Sequence, residues 1–235
     1  MGYLGSKAQA GVWQRIICQM PPHSLYIEPF FGSGQIFFRK IPAAASVIID
    51  ADPNAISGVK HRQSSPKMTI PGLRVICGDA LRELAALKPT LVQSAVIYAD
   101  PPYLFSTRTS RHRYAHEFGR DDQHAALLAL LQTMPCRVLL SGYPSKLYAQ
   151  KLKGWRCINY LTRTRGRTLT ECLWCNFPEP TELHDWRFIG KGFRERLTLK
   201  RFAARFLTRL DAMPELKRNF VLHLVHQRQF GREPI

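Results

Sequence analysis

The feature that most constrains this 235-residue chain is a set of short apolar runs, most of them ending in a polar or glycine-rich tip. The runs cover residues 24–27, 46–49, 73–76, 94–98 and 137–140. Runs of this length, rich in Val, Ile and Leu and bounded by turn residues, read as buried strands. Helical segments are expected between them, at 35–39, after Asn54, at 80–87 and at 121–133, the last capped by Asp121 or Asp122. Strands alternating with helices predict an α/β fold: a mostly parallel sheet with helices on both faces. In such sheets ligands bind beyond the carboxyl ends of the strands, so the tips are where chemistry is expected.

The tips are informative. The first run leads into Glu28-Pro29-Phe30-Phe31-Gly32-Ser33-Gly34, where two glycines permit a close backbone approach to a ligand. The second ends in Asp50, placed to bond ribose hydroxyls. The third ends in Gly78-Asp79 and the fourth in Asp100-Pro101-Pro102-Tyr103. One acidic tip is commonly a helix cap; four tips on one edge argue for a site. The Asp-Pro-Pro-Tyr segment suits a particular task. An exocyclic amino group conjugated to an aromatic ring is a poor nucleophile and needs acceptors for both its hydrogens. Asp100 supplies a carboxylate and Pro101 a carbonyl. Pro101 and Pro102 stiffen the backbone and lack competing N–H groups. Tyr103 offers a ring for stacking on a flat base. Such a nitrogen lies inside a duplex, so the base must be flipped out.

Charge points the same way. Lys and Arg total 34 against 17 Asp and Glu, for a net charge of +17. From Gln123 to Thr170 there is no acidic residue, while Arg137, Lys146, Lys151, Lys153, Arg156, Arg163, Arg165 and Arg167 fall inside. A polyanionic partner is the simplest explanation, although charge alone separates neither DNA from RNA nor either from an anionic membrane. No apolar stretch approaches a membrane span, and the N-terminus lacks the layout of a signal peptide. Of the cysteines at 18, 77, 136, 157, 172 and 175, only Cys172 and Cys175 form a CxxC; no second pair exists for zinc, so no metal is expected. Reduced thiols in a cytosol are the expectation.

Residues 178–181 (Pro-Glu-Pro-Thr) read as a linker, giving expected domains of 1–178 and 179–235. In the second, residues 193–211 place Leu197, Phe202, Phe206 and Leu210 among many Arg and Lys, a basic amphipathic helix, with a further short helix after Pro214. This extension either packs against the rest with a solvated basic face or touches a nucleic-acid backbone.

Taken together these motifs resemble the Dam-type DNA adenine-N6 methyltransferases, in particular the compact phage and prophage forms. The resemblance covers roughly residues 2–178. Tyr3-Leu4-Gly5-Ser6-Lys7 is similar to that family's opening motif, in which Tyr3 and Lys7 would contact the methyl donor. Glu28, Phe30, Gly32 and Gly34 match its donor-binding loop, Asp50 its ribose-binding acid, Asp79 its contact to the donor's adenine, and Asp100, Pro101, Pro102 and Tyr103 its catalytic tetrapeptide. The resemblance implies a Rossmann-like methyltransferase fold and S-adenosylmethionine as donor. It further implies double-stranded DNA as partner and a cytoplasmic protein of bacterial or phage origin. Asp52 and Ala80 depart from the family, which often has Asn and an aromatic there. Asp79 and Asp100 are only 21 positions apart, which excludes the sequence-reading domain that larger members insert.

Three segments are candidates for reading DNA. The loop 104–120 carries Arg108, Arg111, His112, Arg113, His116 and Arg120, able to meet guanine or phosphate, while Tyr114 and Phe118 could close over the pocket as a lid. A hairpin tip at 163–167 carries Arg163 and Arg165, with Gly166 permitting the turn. The basic C-terminal helix is the third. Ser141-Gly142-Tyr143, after the fifth run, is similar to the family's late motif, in which Tyr143 would help wall the base pocket; a structural tyrosine is the alternative. Alternatives are adenine in ribosomal RNA, cytosine N4 methylation, and a binding protein without catalysis. The recognition sequence, a restriction partner and homodimer formation stay open.

Overall fold

The computed structural model describes residues 7–63, 70, 72–108, 117–164 and 167–230. Two compact units divide the chain at Phe188/Ile189. The first holds a seven-stranded sheet in the order β3-β2-β1-β4-β5-β7-β6. Its strands are β1 (Leu25–Glu28), β2 (Ala45–Asp50), β3 (Leu73–Cys77), β4 (Ala95–Ala99), β5 (Arg137–Gly142), β6 (Arg156–Thr164) and β7 (Arg167–Cys175). The first five are parallel, and β7 lies antiparallel between β5 and β6. The intervening helices are α1 (Val12–Ile17), α2 (Pro53–Gln63), α3 (Ala80–Leu87), α4 (Asp121–Gln132) and α5 (Lys146–Lys151). This is the Rossmann-like α/β architecture expected from the strand–helix alternation.

Why these runs are strands is visible in their burial. Side chains alternate across a sheet, so a strand covered on both faces must be apolar throughout. Val47, Ile49, Ile97, Ala99, Val138 and Leu140 enter one apolar cluster with Leu84, Leu127, Leu128 and Leu131 of the helices. Their neighbours Ile48, Val96, Tyr98 and Leu139 enter the other, with Ile16, Ile17, Ile36 and Phe37. The same alternation separates the two cysteines of the CxxC. Cys172 packs in the first cluster and Cys175 in the second, on opposite faces of β7, so they do not form a chelating pair.

Three details differ from the expected layout. Residues 35–39 form consecutive turns rather than a helix, with mixed bonds such as Phe38 N to Gly34 O and Arg39 N to Ile36 O. The segment is too short for a regular ladder and runs into Pro42. Arg120, rather than Asp121 or Asp122, occupies the N-cap of α4; the two acids sit in its first turn, where the helix dipole favours them. The unit boundary falls after Phe188 instead of Pro178, because the 184–188 segment is tied to the sheet unit. His184 N donates to Met20 O (2.9 Å), Asp185 accepts from Ile41 N (3.2 Å), and Phe188 packs edge-on against Trp13 (4.7 Å).

The second unit consists of α6 (Phe193–Asp211), the basic helix expected after the linker, and α7 (Glu215–Phe230), a 16-residue helix where a short one was expected. Among the described residues, no helix is long and apolar enough to cross a membrane.

The layered core makes a measurable contrast. Ile97→Ala, at a fully buried position of the central strand, is expected to lower the unfolding free energy by about 2–5 kcal/mol. Leu161→Ala, where the side chain is 68% exposed, should change it by less than about 0.5 kcal/mol. Urea denaturation of both variants checks this.

Candidate active site

The strand order reverses direction between β1 and β4, and a crevice opens there beyond their carboxyl ends. A cavity of about 660 Å³ fills it. Its lining brings together the expected tip residues: Lys7, Glu28, Phe30, Gly32, Asp50, Asp79, Asp100, Pro101, Pro102 and Tyr103. Gly34 does not line the cavity, although Ser33 and Gln35 on either side of it do, and it acts by packing. Its φ is +64°, and a side chain there would collide with the Phe31 and Phe38 rings. Tyr3 lies outside the described residues.

The loop after β1 is held by Asp50. Its Oδ2 accepts from Gly32 N (2.6 Å) and its Oδ1 from Asp52 N (2.8 Å). Asp52 in turn accepts from Asn54 N (2.9 Å) and starts α2. Asp79 caps α3 through Arg82 N (2.9 Å) and faces the cavity as well. Beneath the loop, Glu28 is buried and accepts from the Tyr26 hydroxyl (2.8 Å). Burial pushes its carboxyl up to about 8, with the Asp100 charge adding to the rise and Tyr26 and Lys40 opposing it.

On the β4 side a buried lysine organises the tetrapeptide. Lys7 is 5% exposed; its Nζ donates to Asp100 Oδ1 (2.8 Å) and to the Tyr103 hydroxyl oxygen (2.6 Å). The Tyr103 hydroxyl donates to the same Asp100 oxygen at 3.3 Å, and Tyr143 meets the Tyr103 ring edge-on at 4.4 Å. Burial raises the Asp100 pKa and the Lys7 charge opposes that rise. A fourth member is Glu171, whose Oε2 is 3.6 Å from Lys7 Nζ. It lies on β7, and its position over the tips depends on the β5–β7 pairing, which the hairpin expected around Gly166 does not by itself fix.

His124 was also not anticipated as a site residue. Its Nε2 faces the Phe118 and Pro102 carbonyls (2.8 and 3.1 Å) and its Nδ1 the Tyr148 hydroxyl (2.8 Å). Carbonyls only accept, so Nε2 carries the hydrogen and Nδ1 accepts from Tyr148. Burial lowers the His124 pKa and keeps it neutral. It thereby clamps the tetrapeptide to Phe118, which lines the cavity against Phe30. A histidine inside the Ala/Leu run of α4 was the available signal.

Of the expected DNA-reading arginines, Arg111, Arg113 and Arg165 lie outside the described residues, as do His112, Tyr114 and His116. Arg163 falls in β6. Arg108 is placed inward: its side chain is 3% exposed and pairs with Glu117 at 2.7 Å. Phe105 N donates to Gly119 O (2.8 Å), and the lack of a side chain at Gly119 leaves room for the Arg108 guanidinium and the Phe105 ring. Arg108 thus joins the two ends of the loop.

The cavity's charge is opposite to that of the chain. Glu28, Asp50, Asp52, Asp79, Asp100, Glu117 and Asp122 line it, and Lys7 is its one basic residue among those described. That concentrates seven of the chain's 17 acids in one crevice.

No family model and no curated protein matches the chain. Solved structures do. The chain is similar to a SAM-dependent methyltransferase from Agrobacterium tumefaciens, with 16% identity, a TM-score of 0.47, and 69% of this chain and 58% of that one covered. It therefore spans less than two thirds of that protein's length. Magnesium protoporphyrin IX methyltransferase from Synechocystis, solved with bound SAM, is 13% identical at a TM-score of 0.45, with 71% of this chain and 76% of that one covered. An rRNA methylase from Streptococcus thermophilus is 11% identical at 0.43, with 71% and 92% covered.

Glu28 offers a pH test. A carboxyl raised from 4.5 to about 8 on folding leaves stability undiminished below the unfolded value and removes it as pH climbs toward the folded one. Glu28→Gln does not ionise, so its stability relative to wild type should improve steadily between pH 4.5 and 8 and stay level below pH 4.5. Urea titrations at a series of pH values read the difference; a constant offset would contradict the assignment.

Proposed function

We propose that this chain is an S-adenosylmethionine-dependent methyltransferase acting on the N6 amino group of adenine flipped out of double-stranded DNA. One observation carries the reading. The Asp100-Pro101-Pro102-Tyr103 tip lines the same cavity as the glycine loop, Asp50 and Asp79, at the switch point of the sheet. Acceptors for an amino group and a nucleoside-binding edge therefore share one space.

The residues fit the donor. A cavity of about 660 Å³ falls within the usual range for a ligand of this class. Asp50 sits at the tip of β2, where a carboxylate is placed to accept from ribose hydroxyls, and it ties the glycine loop to that edge through Gly32 N and Asp52 N. Phe30 and Leu81 provide apolar surface for a purine, with Asp79 beside them. When bound, the donor supplies an electrophilic methyl on a sulfonium, a cation suited to the carboxylate-lined crevice.

The chain's own residues prepare the acceptor. Asp100 takes one amino hydrogen and the Pro101 carbonyl the other, drawing the nitrogen lone pair out of conjugation. Asp100 is also the nearest base for the proton the product must lose. Tyr103 presents the aromatic surface for the base. His124 keeps the segment rigid by bonding the Pro102 carbonyl. Among nucleic acids DNA is favoured by the Dam-like motif order, and the net charge of +17 fits a phosphate backbone outside the crevice.

The test is methyl transfer from labelled donor to unmethylated duplex DNA and to RNA in parallel, with nucleoside mass spectrometry. N6-methyladenine in DNA supports the reading; label confined to RNA moves the substrate to RNA, and no label in either overturns methyl transfer. Asp100→Ala should reduce turnover by about 10²–10³-fold or more and leave donor binding within about twofold, since the donor edge is held by other residues. Normal turnover in that variant would remove Asp100 from the mechanism.

A further inference from the structure

The Asp100 oxygen that holds Lys7 is a natural acceptor for a substrate amino hydrogen. Lys7 Nζ lies 2.8 Å from Asp100 Oδ1, in a position the amino group would contest. Moving an ammonium that is 5% exposed away from its carboxylate calls for another anion beside it. A second acceptor is already present. Glu171 is 5% exposed, its Oε2 is 3.6 Å from the same Nζ, and that oxygen has no hydrogen-bond partner among the described residues. Across the β6–β7 pairing stands Tyr160, also buried, with the Glu171 carboxylate and the Ser141 side chain beside its hydroxyl. A buried carboxylate oxygen left unbonded is costly in one state of a molecule unless another state uses it.

We propose that Glu171 is a second seat for the Lys7 ammonium, which leaves Asp100 for Glu171 as the substrate amino group arrives. A shift of about 1 Å brings Nζ from 3.6 Å to hydrogen-bond distance of Oε2. The lysine stem is flexible and its ammonium has three donors, so it can turn from one carboxylate to the other. The positive charge stays paired throughout, and Asp100 is delivered to the amino group only when one is present. Glu171 is therefore a positioning residue acting through Lys7, and it makes the site selective for bases that carry an amino group. The proposal rests on the methyl-transfer reading above.

The experiment compares wild type and Glu171→Gln on a duplex that wild type methylates and on the same duplex with purine, which lacks the amino group, at the target base. Binding is measured with a non-reactive donor analogue present. The variant is expected to bind the adenine duplex at least about tenfold more weakly, to bind the purine duplex as wild type does, and to keep its affinity for the donor analogue. Equal losses on both duplexes, or none on either, overturn the proposal. The ¹⁵N resonance of the Lys7 ammonium in wild type gives a reading that needs no folded variant. It should move on adding the adenine duplex and stay in place with the purine duplex; a resonance indifferent to the amino group overturns the seat exchange. If wild type methylates no nucleic acid, the functional reading falls and the proposal with it. If wild type is active and Glu171→Gln discriminates normally, the proposal alone falls.

Discussion

Lys7 carries its charge at a position where 5% of the residue meets solvent, and such a charge is tolerable only when its partners are supplied together. Asp100 and Tyr103 supply two bonds from the segment after β4, and Glu171 a second carboxylate from β7. The residue ahead of α1, the central strand and the edge hairpin therefore meet at one ammonium. Removing a single partner from such a group leaves an uncompensated charge and costs about 3–5 kcal/mol. The arrangement is consequently as much a constraint on the fold as a piece of the site.

The hairpin matters because of its direction. In a wholly parallel sheet only the strand tips and the following loops reach the carboxyl edge. Here β7 runs the other way, and β5 pairs with it from Leu139↔Cys175 to Gly142↔Cys172. The strand begins well before that pairing, at Arg167, so its first half overhangs the edge and carries Glu171 above the tips. The opposite side of the crevice is fixed differently. There Asp50 joins β2 to the glycine loop by accepting from Gly32, and Asp79 starts α3. One wall is set by a buried ion cluster and the other by carboxylates that satisfy backbone N–H groups.

This division explains what could be read from the sequence. The strands were legible because burial on both faces forces continuous apolar runs, and α3 and α6 because their periodicity is local. The tips Asp50, Asp79 and Asp100 were legible because a position after a strand fixes the edge on which a residue appears. Glu171 was not, since its place depends on β5–β7 pairing across 30 residues of chain. Arg108 illustrates a different limit. Among many arginines it reads as a phosphate or base contact, yet Glu117, nine positions on, pairs with it and turns it inward. Residues 184–188 read as part of a separate tail because nothing in Pro-Glu-Pro-Thr reveals that His184 and Asp185 bond back to Met20 and Ile41.

Charge separation gives these pieces a common physical logic. The chain as a whole carries a net charge of +17, while the crevice gathers seven carboxyl groups and one lysine among the described residues. With Glu28 raised to about 8 and so mostly neutral at pH 7, the lining still carries several negative charges more than positive ones. Phosphates are favoured outside and opposed inside, since like charges in a low-dielectric crevice repel strongly. Under the methyl-transfer reading, the part of a nucleic acid that enters without opposition is an uncharged base swung out from its backbone. The same lining favours a sulfonium. The crevice would thus discriminate by charge before any hydrogen bond is made, admitting a neutral base beside a cationic donor and holding the phosphate chain at its rim.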